Sequence, residues 1–233
     1  MTTYALVHGA WHGAWCWERL AALLQRAGHA VVAMDLPIDD NSASFDAFAD
    51  VVCADLHGCD DDVVLVGHSY GGHTIPLVAA RRPVRHLVYL CAYIPEIGRS
   101  FIDQLANEPA MLLPACYAGL ELDGQSRVVW ADAATARTFM YADCDERTAN
   151  AAIAQLRPQS AYATTLSCSL AEFAEVRCTS IICDGDRLLG HEWATRVAVD
   201  RLGADPIELP GSHSPFLSRP SAVADVLLGL VEK

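Results

Sequence analysis

The chain has 233 residues, of which 52% are hydrophobic and 19% charged, with a formal net charge of -13 at pH 7. That length builds one full core, and the acidic balance argues against non-specific binding to nucleic acid or to an anionic membrane. No apolar run approaches the roughly 20 residues of a membrane span. Met1-Thr2-Thr3-Tyr4 enters a strand-like run without a basic segment, so no secretory signal is expected. Nine cysteines lie scattered in apolar contexts without a C-x-x-C pair. They read as buried free thiols of a cytoplasmic protein rather than a disulfide framework or a zinc site.

Residues 4–7 (Tyr-Ala-Leu-Val) are predicted to form a short buried strand that breaks at His8-Gly9-Ala10. Residues 15–27 carry apolar side chains at helical spacing, with Leu20, Leu23 and Leu24 toward the sheet, and Gly28 ends the helix. A strand is expected at 30–34, followed by a helix that Ser44 caps and that runs to about residue 58, with Phe45, Phe48, Val52 and Leu56 on one face. The valine-rich run 63–66 is the next strand, and a helix follows from about 70 to 81. Pro76 lies inside that helix and predicts a kink or a short first segment. Residues 84–90 complete a fourth strand.

Strands apolar on both faces that alternate with helices predict a parallel sheet covered on both sides. Ligands of such a sheet bind at the carboxyl ends of its strands. The alternation stops between about 94 and 176, where helical pieces are predicted at 133–140, 146–156 and 159–166, with no convincing strand. This segment reads as a cap over the sheet edge, the alternative being a helical subdomain that serves stability alone. Strands at 178–183 and 205–209 and helices at 191–202 and 222–231 close the chain. The expected architecture is α/β: six parallel strands in a core of residues 1–96 and 177–233, with a mostly helical cap, 97–176, inserted after the fourth strand.

Gly67-His68-Ser69-Tyr70-Gly71 follows the third strand and fits the G-x-S-x-G pattern. Such a turn lifts the serine hydroxyl above the sheet edge, and small flanking residues let neighbouring backbone approach it. Serine needs a base to take its proton, and the base needs a carboxylate on its other nitrogen. His213, in the turn-rich loop after the last strand, is the candidate base. His68 should point away from the pocket, His191 should cap a helix or lie at the pocket edge, and His8 and His12 should be structural or line the pocket. Asp184 and Asp186 both follow the fifth core strand; Asp186, deeper in the loop, is favoured because Asp184 can bond its own turn. The backbone N–H groups of Ala10 and Tyr70 are the expected oxyanion donors. Trp11, His12 and Trp130 are candidate pocket lining, with Tyr70 as a further wall. No metal or other cofactor is expected, because His8 and His12 lack a carboxylate partner on their element.

Val7-His8-Gly9-Ala10-Trp11-His12-Gly13-Ala14-Trp15-Cys16-Trp17, followed by Ala27-Gly28-His29-Ala30-Val31-Val32-Ala33-Met34-Asp35-Leu36-Pro37, resembles the methylesterase and hydroxynitrile lyase group of the α/β-hydrolase fold and its bacterial esterase relatives. The resemblance implies a Ser69-Asp186-His213 triad with Ala10 and Tyr70 as oxyanion donors. Gly211-Ser212-His213-Ser214-Pro215-Phe216-Leu217 looks more like the bacterial esterases. The cyanogenic lyases of the group carry a threonine after the first-loop histidine and a lysine after the catalytic histidine. This chain has Gly9 and Ser214 there, which favours ester hydrolysis.

The function expected is hydrolysis of a small apolar or aromatic carboxylic ester through an acyl-enzyme. Two alternatives stand beside it: a lyase or non-hydrolytic cyclase with His213 as general base, and a small-molecule binding protein with an incompetent triad. A homodimer is the default expectation for a soluble enzyme.

Overall fold

Strands apolar on both faces are stable only when both faces are covered, and helices do this here. The computed structural model describes residues 1–231, so the last two residues of the predicted core segment 177–233 lie outside the described residues. The first half runs β1 (Thr3–Val7), α1 (Glu18–Arg26), β2 (Ala30–Ala33), α2 (Phe45–Asp55), β3 (Val63–His68), α3 (Gly71–Ala79) and β4 (His86–Leu90). An insertion follows, with α4 (Phe101–Asn107), β5 (Leu120–Leu122), β6 (Arg127–Trp130), α5 (Ala133–Met140), α6 (Glu146–Ile153), β7 (Gln159–Ser160) and α7 (Tyr162–Thr165). The core resumes with β8 (Arg177–Cys183), α8 (His191–Leu202), β9 (Ile207–Leu209), α9 (Pro215–Ser218) and α10 (Pro220–Val231).

Six strands form one sheet in the order β2-β1-β3-β4-β8-β9, and its pairings are parallel throughout. The expected sheet, and the insertion after its fourth strand, are therefore present. Every residue of β1, β3 and β4 is buried, which explains their unbroken apolar runs. Helix α2 begins as its sequence predicts. Ser44 Oγ accepts the Ala47 N–H at 3.1 Å, and Phe45, Phe48 and Val52 are buried.

Helix α3 leans closely on the sheet because its first two residues are glycines. A Cβ on Gly71 would stand 2.6 Å from the Val7 carbonyl oxygen, and one on Gly67 would stand 2.7 Å from that of Gly71. Pro76 does not split this helix, which runs unbroken from Gly71 to Ala79. In its second turn the proline forfeits one intrahelical bond, to the Gly72 carbonyl.

The insertion is less purely helical than expected. Strands β5, β6 and β7 form a second sheet, paired antiparallel. Asp123 sets the hairpin between the first two: its Oδ1 accepts the N–H groups of Gln125 and Arg127 at 2.8 and 3.0 Å. Among the described residues, no helix is long and apolar enough to cross a membrane.

Candidate active site

Ser69 stands at the carboxyl end of β3, between the strand and α3. Its φ of 51° is left-handed, a conformation that non-glycine residues hold only when their surroundings enforce it. Here the surroundings do. The Ser69 N–H donates to the Leu90 carbonyl at 3.3 Å, and its own carbonyl accepts from Gly72 and Tyr93 at 3.0 and 3.2 Å. The side chain lines a cavity of about 350 Å³.

His213 and Asp186 meet because the loops after β8 and β9 are laced together. Asp184 N–H donates to the Leu209 carbonyl at 3.1 Å and Gly185 N–H to that of Gly211 at 2.9 Å. A Cβ at Gly185 would stand 2.7 Å from the Gly211 oxygen, so the residue between the two aspartates must be bare. His213 Nδ1 lies 2.8 Å from Asp186 Oδ2, and both side chains are buried. Asp186 Oδ1 accepts the N–H groups of Leu188 and Leu189 at 2.8 and 3.0 Å. Asp184 instead accepts from Gly211 N–H at 3.1 Å and stays in its own turn. His213 Nε2 is buried and makes no hydrogen bond among the described residues, so it is not bonded to Ser69 Oγ. Catalytic hydrogen bonds are often loose before substrate arrives.

His68 faces away from the cavity, as expected, and holds His213 from behind. Its Nε2 donates to the His213 carbonyl at 2.9 Å, and the two rings lie 4.8 Å apart. His191 sits at the start of α8 and pairs with Glu208 at 2.7 Å on an exposed face.

The loop after β1 is fixed by two neutral histidines. Leu36 N–H donates to His8 Nε2 at 3.0 Å, which leaves Nδ1–H to donate to the Gly9 carbonyl at 2.8 Å. In a trans peptide the C=O and N–H point in opposite directions, so holding the Gly9 oxygen also aims the Ala10 N–H. His12 Nδ1 donates to the Ala10 carbonyl at 2.8 Å, and Tyr141 O–H donates to His12 Nε2 at 2.9 Å. Neither Ala10 N–H nor Tyr70 N–H is taken up by an acceptor among the described residues. Gly9 is pressed against the serine corner: a Cβ there would stand 2.6 Å from Ser69 Cβ and 2.8 Å from the His68 oxygen.

Of the candidate lining residues, Trp11 and Tyr70 line the main cavity. His12 does not; it is fully buried behind the loop. Trp130 lines a second cavity of about 250 Å³, on the far side of Trp11, and packs on the Trp11 indole at 5.0 Å. Tyr93, which follows the fourth strand at the ligand-binding edge, also lines the main cavity, and sequence reasoning missed Phe101, Leu112, Tyr117 and Gln159, which line it too. The hydrophobic aromatics of 93–117 carried that signal in general form, but nothing in the spacing aimed them. Among the described residues, no group of three or more His, Cys, Asp or Glu side chains could hold a metal ion.

Burial holds His8, His12 and His73 neutral. It lowers His8 to about 4 and His12 to about 3, and it lowers His73, beneath Phe45, to about 3. Below pH 6.5 the unfolded chain binds protons that these histidines refuse in the fold. Their contribution is therefore full above pH 6.5 and is lost as the pH falls toward 4 and 3. At pH 5 each has surrendered up to about 2 kcal/mol relative to pH 7. The urea midpoint is expected to fall between pH 7 and pH 5, and an unchanged midpoint would contradict neutral burial.

The alpha/beta hydrolase family matches residues 5–226 of this chain. The chain is 42% identical over 119 residues to the carbendazim hydrolyzing esterase of Nocardioides sp. (strain SG-4G), an alignment spanning 45% of this chain and 48% of that protein. It is 30% identical over 259 aligned positions to norfluorocurarine synthase 2 of Strychnos sp, spanning 99% of this chain and 95% of the relative. The crystal structure of polyneuridine aldehyde esterase superposes with a TM-score of 0.84 at 23% identity, covering 99% of both chains, a likeness of fold.

Proposed function

Because this chain belongs to the alpha/beta hydrolase family, we propose that it is a serine esterase acting on a small, apolar or aromatic carboxylic ester. The observation that carries the reading is one meeting of parts at a single sheet edge. Ser69, at a φ of 51°, lines an apolar cavity, and the ring of its neighbour His68 packs on His213, whose Nδ1 is held 2.8 Å from Asp186.

In this reading His213 Nε2 takes the Ser69 proton as Oγ attacks the ester carbonyl. The electron pair moves onto the carbonyl oxygen, and the Ala10 and Tyr70 N–H groups receive the charge. Asp186 keeps the Nδ1 proton in place and supports the imidazolium. Collapse of the intermediate expels the alcohol, which leaves with the proton from Nε2. Water then repeats the sequence on the acyl-enzyme and releases the acid. The insertion, residues 97–176, acts as the cap: Phe101, Leu112 and Val128 supply cavity wall.

A second reading has one observation in its favour, the 30% identity to a protein named as a synthase. There His213 would act as a general base on a bound substrate and no acyl-enzyme would form. A fluorophosphonate probe read by intact mass, run beside a panel of methyl and aryl esters, separates the two. The esterase reading expects one adduct on Ser69 and turnover of at least one ester. A labelled serine with no ester turnover favours the second reading, and absence of both sinks the first.

A further inference from the structure

Among the described residues, Trp11 is the one that lines both the main cavity and the second cavity. Its φ of 62° is left-handed, an outlier for so bulky a side chain. Strain of this kind persists only where the surroundings enforce it, and it gathers at functional sites. Here the backbone is held on both sides. Arg157 N–H, from the insertion, donates to the Trp11 carbonyl at 2.7 Å, and His12 Nδ1 donates to the preceding carbonyl, that of Ala10, at 2.8 Å.

The indole is held as firmly. Nε1–H donates to the carbonyl of Val128 at 3.0 Å, a residue of the main cavity wall. The ring packs on Trp130, 5.0 Å away in the wall of the second cavity, and Trp130 is backed in turn by Phe139 at 5.8 Å. Swinging the indole aside would strand its N–H and break the aromatic pair. The ring is therefore a fixed partition, and it stands one residue along the chain from Ala10, whose N–H faces the reacting carbonyl in the esterase reading.

Beyond the partition the second cavity is walled largely by apolar groups, among them Trp130, Ile153, Leu156 and Pro158. Its charged members are already engaged. Arg157 donates to the Leu36 carbonyl at 3.1 Å and to Asp39 at 2.6 Å, and Asp132 accepts the N–H and O–H of Thr135 at 2.8 and 2.9 Å. Space of this kind suits an apolar chain and penalises a polar one.

We propose that the Trp11 indole determines specificity by setting the length limit of the substrate: the enzyme takes esters that fit the main cavity and excludes those whose apolar chain would run on into the second. The proposal rests on the esterase reading for the reaction, but the limit it names is a matter of binding. A chain that meets the ring must either distort the packed wall or stay in water.

The test uses two homologous series, one lengthened on the acyl side (methyl phenylacetate to methyl 8-phenyloctanoate) and one on the alcohol side (benzyl acetate to 6-phenylhexyl acetate). In the parent, kcat/KM is expected to fall toward the longest members. Trp11→Gly removes the indole and the left-handed strain together. In at least one series it should raise the ratio of longest to shortest member about tenfold or more, since each methylene newly buried is worth about fourfold. The ratio is internal to each protein, so a general loss of activity cancels. Trp11→Phe, with a smaller ring, should shift the same series less, and it carries the test should Trp11→Gly not fold. Unchanged profiles in both series, or a parent that turns over the longest members as well as its best one, overturn the proposal. If no ester is turned over, the esterase reading fails separately. The Kd values of the same esters, measured by calorimetry for Ser69→Ala with and without Trp11→Gly, then decide on Trp11, with an unchanged dependence on chain length counting against it.

Discussion

Ser69→Ala is expected to lower ester turnover by about 10⁵–10⁶-fold while the protein stays folded. The substitution removes one oxygen, and the bonds that hold the corner run through the backbone N–H and C=O of residue 69, which alanine keeps. Alanine and serine pay the same left-handed strain, since both carry a Cβ. Binding and oxyanion stabilisation remain, so some acceleration over water should persist. The variant should lose the fluorophosphonate adduct completely and retain its urea midpoint. Turnover within tenfold of the parent, in a preparation free of other esterases, would remove Ser69 from the mechanism.

Asp186→Asn is expected to reduce kcat by about 10⁴-fold with little change in stability. The argument is about a proton. Asp186 Oδ1 accepts two backbone N–H groups, a role the asparagine oxygen can take over. Its Nδ2 would then face His213 Nδ1 and donate to it, forcing the imidazole proton onto Nε2, where the serine proton must go. Asp184→Asn changes only a turn acceptor for Gly211 N–H and should alter kcat by less than about threefold. The two variants, assayed on one ester at pH 7 to 9, assign the orienting carboxylate. Equal losses would leave Asp186 without a special role.

Much of this arrangement was legible in the sequence because the relevant signals are local. The apolar runs of β1, β3 and β4 announce strands buried on both faces, and Ser44 and Gly28 mark helix ends by their own chemistry. Ser69, Asp186 and His213 were readable because each follows a strand, and the ends of parallel strands gather at one edge. Other features depend on partners far along the chain. His12 looked like pocket lining because its loop borders the site, but Tyr141, 129 residues away, draws its ring into the interior. Trp130 was displaced from the main cavity by Trp11, whose indole lies between the two cavities. The small sheet of the insertion escaped because strands of two to four residues carry almost no periodicity. Asp123-Gly124 was the available hairpin signal. Pro76 predicted a kink or a short first segment; the helix is continuous from Gly71 to Ala79, and one forfeited bond is tolerable in a helix buried along nearly its whole length.

The bare Cα of Gly9 limits how this scaffold can be redirected. Threonine at this position, the residue of the cyanogenic lyases in the group it resembles, would place its Cβ within 2.6 Å of Ser69 Cβ. The graft therefore cannot be a single-residue exchange, because the incoming side chain must push Ser69 or the first loop aside. In this chain any such exchange begins with a backbone adjustment, and an evolutionary or engineered path that starts with the side chain passes first through a disturbed serine corner.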